Sequence, residues 1–280
     1  VSAPTAAQAM AAAAARLRAA GVPDPARDAR ILLAHAASVD AARVTLIAPE
    51  EIAPEIAERY EHLVALRAVR VPVSQLVGRR AFYGRDFEIS RDVLDPRPET
   101  ETLIELALSE PFARVLDLGT GSGCILVSLL AERPSATGVG ADLSEAACLQ
   151  ASANAVRHAI ADRASIIRSD WFGQVEGRFD LIVSNPPYLA QEEMAGVAPE
   201  LRDHEPEMAL TDGADGLSAY RVIASEAQGY LTATGRVLVE IGATQGASVA
   251  ALFRQAGWGR VRVVQDLDGR DRVVWADTPA

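Results

Sequence analysis

"RVRVVQDLDGRDRVVWAD", Arg260 to Asp277, is the stretch whose reading decides the fold. Two β-branched apolar runs flank Asp268-Gly269, with too few residues between them for a crossover helix. They therefore pair as an antiparallel hairpin. Upstream, from Ala113, the texture differs. Strand-like runs "RVLDLG", "TGVGAD", "ASIIRSD", "FDLIVSN" and "GRVLVEIG" alternate with helix-like segments. Near-continuous apolar strands separated by helices form a parallel sheet covered on both faces. The expectation for residues 96–280 is an α/β domain with a mostly parallel seven-stranded sheet that ends in this one antiparallel hairpin.

The first seventy or so residues read as helices alone. Thr5 to Ala20 is Ala-rich and closes at Gly21. "PDPARDARILLAHAA" restarts with Asp24 as N-cap and Pro25 at the first helical position. "APEIAERYEHLVALRAVRVP" places Ile56, Tyr60, Leu63 and Arg67 on one stripe and stops before Pro72. A small all-α bundle is expected over 1–72. "VSQLVGRRAFYGRDFEIS", broken by Gly78 and by Gly84-Arg85, reads as a β-hairpin linker over 73–95, and a helix begins near Pro98.

At 280 residues the chain suits one large domain, or a medium domain with a smaller companion. A hydrophobic content of 49% supports a real core, and at 5% aromatic that core must be mostly Ala, Val, Leu and Ile. All 27 basic residues are Arg, so neither a Schiff-base lysine nor a P-loop lysine is available. The net charge of −11 argues against gripping nucleic acid by its phosphates, and no stable nucleic-acid binding is expected. Cys124 and Cys148 lack CxxC spacing and read as small buried hydrophobes in a reducing cytosol. The four histidines form no HxxxH or HxH pair, so no metal site is expected. The alanine run near the N-terminus has no basic segment before it, and nothing approaches the ~18 apolar residues of a membrane span. A cytoplasmic protein with no membrane association is expected.

"VLDLGTGSGCI" puts Gly119, Gly121 and Gly123 directly after the first strand of the α/β region and before a helix. Glycine there allows a tight turn and a close approach of backbone to ligand. The dinucleotide fingerprint G-x-G-x-x-G would place its third glycine on Cys124. The spacing present is G-x-G-x-G, which disfavours a nicotinamide-dependent oxidoreductase. S-adenosyl-L-methionine has no pyrophosphate and needs only open backbone beside its methionine end, here Gly119, Thr120, Gly121, Ser122 and Gly123. Asp142, ending the second strand, suits a carboxylate that accepts both ribose hydroxyls; its alternative is a helix N-cap ahead of "LSEAACLQASANA". Asp170-Trp171, ending the third strand, suits the adenine amine and ring face, against the plainer role of a tryptophan filling a sheet edge.

The fourth strand ends on Asn185-Pro186-Pro187-Tyr188. Proline cannot donate to a sheet ladder and fixes its own φ, so the strand stops in a preset shape. Methyl transfer from a sulfonium mainly needs an acceptor held in line and water kept out. Asn185 is neutral, with one acceptor and one donor end. Its oxygen and the Pro186 carbonyl can hold the two N–H groups of a conjugated amine or amide, with Pro187 stiffening the backbone and Tyr188 offering a flat face. Such an acceptor sheds its proton late, so no strong base is required. The tetrapeptide fits N6-adenine, N2-guanine and glutamine amides equally, and a nucleic-acid exocyclic-amine methyltransferase stays open on these residues alone.

With "FYGRDFEIS", "VLDPRPETETLIE", "SDWF", "DHEPEMALTDGADGLSAYR", "VLVEIG" and "DLDGRDRVV" added, the sequence resembles the HemK/PrmC family of release-factor glutamine methyltransferases over essentially its whole length. DNA adenine methyltransferases share the tetrapeptide but not these flanking blocks. The resemblance implies a Rossmann-like class I methyltransferase domain behind a small helical domain that helps hold the substrate. It implies methyl transfer from S-adenosyl-L-methionine, leaving S-adenosyl-L-homocysteine, to the glutamine side-chain nitrogen of the Gly-Gly-Gln motif in peptide chain release factors. Gly119 to Gly123, Asp142, Trp171 and Asn185 match its cofactor positions, with Asp170 beside them, and Asn185 to Tyr188 match its glutamine site. Arg97 and Glu101, at the helix start in "RPETE", are expected to line the cleft; their alternative is an ion pair with each other. Asp95 departs from the pattern, where an apolar residue is expected. Leu189 to Gly216, long and without periodicity, is expected to be a substrate-side flap.

Overall fold

A computed structural model describes residues 3–279. The chain divides into two compact units, Val1–Arg79 with Ala198–His204, and Arg80–Val197 with Glu205–Ala280.

The first unit is helical: α1 (Ala6–Ala19), α2 (Pro25–Ala37), α3 (Val44–Ile47), α4 (Pro54–Ala68) and α5 (Val73–Val77). A capping box opens α1, with Thr5 Oγ1 accepting from Gln8 N at 3.3 Å and Gln8 Oε1 accepting from Thr5 N at 2.9 Å. Asp24 does occupy the N-cap of α2, but its side chain makes no capping bond; Pro25 follows at the first turn. Leu17, Leu32, Leu33 and Val64 fill the core, and Tyr60 joins them by donating its hydroxyl to Ala29 O at 2.9 Å. The α4 stripe closes on a charge rather than an apolar group. Arg67, 5% exposed, donates to Asp28 at 2.7 Å and to Glu200 at 3.0 Å, and Arg70 donates to Glu200 at 2.6 Å. A buried guanidinium persists only when its donors are matched, and the second match comes from 133 residues downstream.

The second unit opens on β1 (Arg79–Phe82, its first residue grouped with the first unit) and β2 (Arg85–Glu88). Tyr83 and Gly84 between them both have positive φ, which makes the two-residue turn that matches strand twist. Then come α6 (Glu101–Leu108), β3 (Arg114–Leu118), α7 (Cys124–Glu132), β4 (Thr137–Asp142), α8 (Glu145–Arg157), β5 (Ala164–Arg168) and β6 (Phe179–Ser184). After α9 (Pro199–Arg202, in the first unit) follow α10 (Glu207–Leu210), α11 (Ser218–Glu226), β7 (Leu231–Glu240), α12 (Gly246–Gln255), β8 (Val261–Gln265) and β9 (Asp271–Asp277).

The sheet order is β5-β4-β3-β6-β7-β9-β8. Its pairs from β5 through β7 are parallel, and β9 runs antiparallel to both β7 and β8. The expected hairpin is present, and its returning strand is inserted inside the sheet while β8 forms the edge. Neighbouring residues along a strand serve opposite faces. Val115, Leu181 and Leu238 join the core with Leu103, Ile104, Leu126 and Leu130. Leu116, Ile182 and Val239 join the core with Tyr220, Ile223 and Phe253. The connection expected as a substrate-side flap carries a 3-10 turn (Gln191–Gly196), α9 and α10, and Asp212 accepts from the backbone N–H groups of Ala214, Gly216 and Ser218. Among the described residues no helix is long and apolar enough to cross a membrane.

Candidate active site

The carboxyl ends of β3, β4, β5 and β6 meet a cleft of about 400 Å³ within the second unit. Strand ends at a topological switch point are where open α/β sheets bind ligands, and this volume lies within the usual range of small-molecule sites.

The β3 end supplies the glycine loop. Gly119, Gly121 and Gly123 have φ of 67°, 55° and 78°, all left-handed. Gly119 N and Thr120 N both donate to Ala141 O, at 2.8 and 3.1 Å, which ties the loop to the β4 end. A Cβ on Gly119 would meet no protein atom within 4 Å, so the glycine leaves backbone bare towards the cleft. Gly119 to Ser122 line that cleft, whereas Gly123 does not. A Cβ on Gly123 would sit 3.1 Å from Ala151 Cβ, so this glycine lets α7 start against α8.

Asp142 ends β4 in the cleft wall. Its Oδ2 accepts from Gly121 N and its Oδ1 from Ser144 N, each at 2.9 Å. Ser144, whose hydroxyl accepts from Ala147 N, is the N-cap of α8, which removes the N-cap alternative for Asp142. Burial raises the Asp142 pKa, against the lowering by those backbone donors. Asp117, beneath the loop, is fully buried and accepts from Thr120 Oγ1 at 2.7 Å; burial pushes its pKa to about 7. It was legible only as an acid within an otherwise apolar strand, directly before the glycines.

Beyond β5, Asp170 and half-buried Trp171 both line the cleft, Trp171 in a left-handed turn with φ of 46°. The Ser169 hydroxyl holds that turn by donating to Trp171 O at 2.8 Å and accepting from Gln174 N at 3.0 Å.

Beyond β6, Asn185 and Pro187 line the cleft, and Pro186 and Tyr188 do not. Pro186 is buried. Tyr188 packs against the core that holds Tyr220 and Phe253, and its carbonyl accepts from Gln245 Nε2 at 2.8 Å. Asn185 Nδ2 donates to Thr100 Oγ1 at 3.2 Å. Thr100 is 2% exposed and lies in the turn before α6. Burial pushes the Glu240 pKa to about 7.

Arg97 lines the cleft, and Glu101 does not. Glu101 lies one position beyond Thr100, about 100° round the turn, and accepts from Tyr83 N at 2.9 Å in the β1–β2 turn. Nor do Arg97 and Glu101 pair with each other, because Arg97 is bound to Glu205. Thr100, Asp117 and Glu205 escaped the sequence reading, since no local pattern marks a side chain whose partner is distant.

The bare loop backbone, the Asp142 carboxylate and the Asp170-Trp171 pair fit the carboxylate–ammonium end, ribose and adenine of S-adenosyl-L-methionine. Residues 8–78 match the family described as PrmC N-terminal domain, and residues 89–245 match Methyltransferase small domain. The release factor glutamine methyltransferase of Cereibacter sphaeroides is 58% identical, covering 98% of this chain and 99% of that protein. That of Agrobacterium fabrum is 41% identical, covering 92% of each. A crystal structure of a methyltransferase from Pyrococcus furiosus is 17% identical, covers 71% of this chain and 92% of that one, and has a TM-score of 0.55, a likeness of fold alone. Identity of this extent, across both units and the cleft, means that the chain belongs to the release factor glutamine methyltransferase family.

Proposed function

We propose that this chain transfers a methyl group from S-adenosyl-L-methionine to the side-chain amide nitrogen of the glutamine in the Gly-Gly-Gln motif of peptide chain release factors, in the cytoplasm. The observation that carries this reading is the state of Asn185. Its Nδ2 is engaged by Thr100, so Oδ1 is the end left to accept from an incoming N–H.

An amide nitrogen is a poor nucleophile because its lone pair is delocalised into the carbonyl. Asn185 Oδ1 and the Pro186 carbonyl would take its two N–H groups, turn the lone pair towards the methyl, and stabilise positive charge as it develops. The methyl is supplied on a sulfonium by S-adenosyl-L-methionine, which leaves as S-adenosyl-L-homocysteine. Gly119 to Ser122 would hold the methionine end, Asp142 the ribose, and Asp170 with Trp171 the adenine. No histidine is among the described residues lining the cleft, which agrees with an acceptor that needs positioning rather than a base. Pro187 stiffens the presentation, and the helical first unit helps hold the release factor.

Incubation with labelled S-adenosyl-L-methionine and either a release factor or duplex DNA tests the reading. Label in the release factor alone is expected. Label in DNA alone would replace this reading by nucleic-acid amine methylation.

A further inference from the structure

We propose that Gln245, which does not line the cleft, is a positioning residue that keeps the Asn185–Tyr188 tetrapeptide in place by holding its last carbonyl. The proposal rests on the function proposed above and concerns how its acceptor site is held in register.

The Gln245 side chain is oriented by backbone. Gln245 stands directly before α12, and its N–H donates to Gly242 O at 2.9 Å while Gly242 N donates back to Gln245 Oε1 at 3.0 Å. With Oε1 pinned, Nε2 faces the other way. Its two hydrogens meet two carbonyls, Tyr188 O at 2.8 Å and Gly216 O at 3.3 Å. A flipped amide would set its NH₂ against the Gly242 N–H and its oxygen against both carbonyls, so the network admits one orientation. One side chain therefore ties together the turn after β7, the end of the tetrapeptide and the turn before α11.

Glycine permits this approach. Gly216 has φ of 73°, and a Cβ there would collide with Tyr188 O and stand 3.0 Å from Ala190 N. A Cβ on Gly242 would stand 3.0 Å from Gln245 Oε1 and 3.5 Å from Tyr188 Cδ2. The tetrapeptide is thus held at both ends by side chains from other elements, Asn185 Nδ2 by Thr100 and the Tyr188 carbonyl by Gln245. Between them Pro186 and Pro187 have fixed φ and no N–H, so an error at one end is passed to the other rather than absorbed. Core packing holds the Tyr188 ring, and the Gln245 bond fixes the plane of the peptide that follows it. On its other side that same peptide unit donates from Leu189 N to Leu210 O at 3.0 Å. A displaced Tyr188 carbonyl would carry with it the Pro186 carbonyl and Asn185 Oδ1, which take the acceptor N–H groups.

The test uses the full chain and two variants that disturb one carbonyl in different ways. Gln245→Met keeps the side-chain length and removes both donors. Gly216→Ala keeps Gln245 and drives a Cβ into Tyr188 O. Each is expected to lower kcat about 10- to 100-fold, the scale on which a small misplacement slows an aligned step. KM for S-adenosyl-L-methionine is expected to change little, since the glycine loop, Asp142 and Asp170-Trp171 lie at other strand ends. The double variant is expected to lose little more than the worse single one, because both act on one carbonyl. Gln245→Glu keeps the shape and, when protonated, one donor, so its kcat relative to the parent is expected to recover in part as pH is lowered. A merely structural role would lower stability and leave the kcat of folded enzyme at the parent value. That result in Gln245→Met, or losses that multiply in the double variant, overturns the proposal. Where Gln245→Met does not fold, Gln245→Glu decides, and a kcat equal to the parent's at every pH would overturn it. The Asn185 side-chain amide and Leu189 N–H signals in a ¹⁵N–¹H NMR spectrum need no acceptor. Both are expected to move in Gln245→Met, and an unmoved Asn185 signal overturns the clamp. Failure of the parent to methylate a release factor would count against the function and leave the clamp to be judged by these signals.

Discussion

Arg97 and Glu205, 108 residues apart in the sequence, are joined through one guanidinium nitrogen that donates to both carboxylate oxygens at 2.6 Å. The Glu205 side chain is 1% exposed and that of Arg97 is 26% exposed, so the carboxylate depends on its partner more than the reverse. Burial raises the Glu205 pKa although Arg97 opposes the shift. Arg97→Met strands the carboxylate and is expected to cost about 2–4 kcal/mol at neutral pH. A stranded carboxylate takes up a proton readily, so the loss shrinks as pH falls. Urea denaturation of parent and variant at pH 7 and pH 5 measures both the loss and its direction.

Asn185→Ala removes the group left to accept the substrate amide. A fall in kcat of about 10²–10³ is expected, the scale of losing one preorganised hydrogen-bonding group in a transition state. Steady-state methylation kinetics read it, and turnover near that of the parent would rule out the hydrogen-bond role.

Two glycines of one loop are expected to fail in different ways. Gly119→Ala and Gly123→Ala both strain a left-handed residue, at about 1 kcal/mol each. The new Cβ at residue 119 projects into open cleft, so the main effect is weaker S-adenosyl-L-methionine binding. At residue 123 it stands 3.1 Å from Ala151 Cβ, and overpacking adds about 1–3 kcal/mol of destabilisation. Calorimetric titration together with thermal unfolding separates the two.

Asp117 and Glu240 make stability fall as pH rises. Burial lifts them from 3.8 and 4.5 to about 7 each. Between those limits the folded state binds more protons than the unfolded chain. The stabilisation is therefore complete below the unfolded values and is lost as pH passes about 7. Within the window each group contributes a slope of about 1.4 kcal/mol per pH unit. Asp117→Asn is expected to flatten the curve of unfolding free energy against pH; an unchanged slope would show that the folded protein does not hold the Asp117 proton.

Glu200 fixes Ala198–His204 within the first unit through Arg67 and Arg70. Glu200→Ala is expected to release that segment and speed its cleavage in limited proteolysis. Equal cleavage rates would mean that other contacts, such as Gln75 Nε2 to His204 O, hold it.

Much of this was legible because strands and helices leave a period in the sequence. Thr137–Asp142 carries its own bounds, ending on an acid after a run of small and apolar residues. The insertion of β9 inside the sheet was harder to see, although it left a trace. "VVWA" is continuously apolar and buried, as an interior strand must be, while "RVRVV" alternates with Arg262 as an edge strand does. Partners distant in sequence left no trace. Arg67 falls on an apolar stripe, and nothing near it announces Glu200. Thr100 and Glu101 are adjacent, and only the helix start decides that Thr100 reaches Asn185 while Glu101 turns to Tyr83. Gly123 belongs to the ligand loop by spacing and to helix packing by contact.

The most direct measurement is mass spectrometry of the Gly-Gly-Gln peptide from a release factor incubated with this protein and S-adenosyl-L-methionine. Expected is the gain of one methyl, localised to the glutamine side chain and greatly reduced with Asn185→Ala. An unmodified glutamine, or a methyl found on another residue of the release factor, would contradict glutamine as the acceptor.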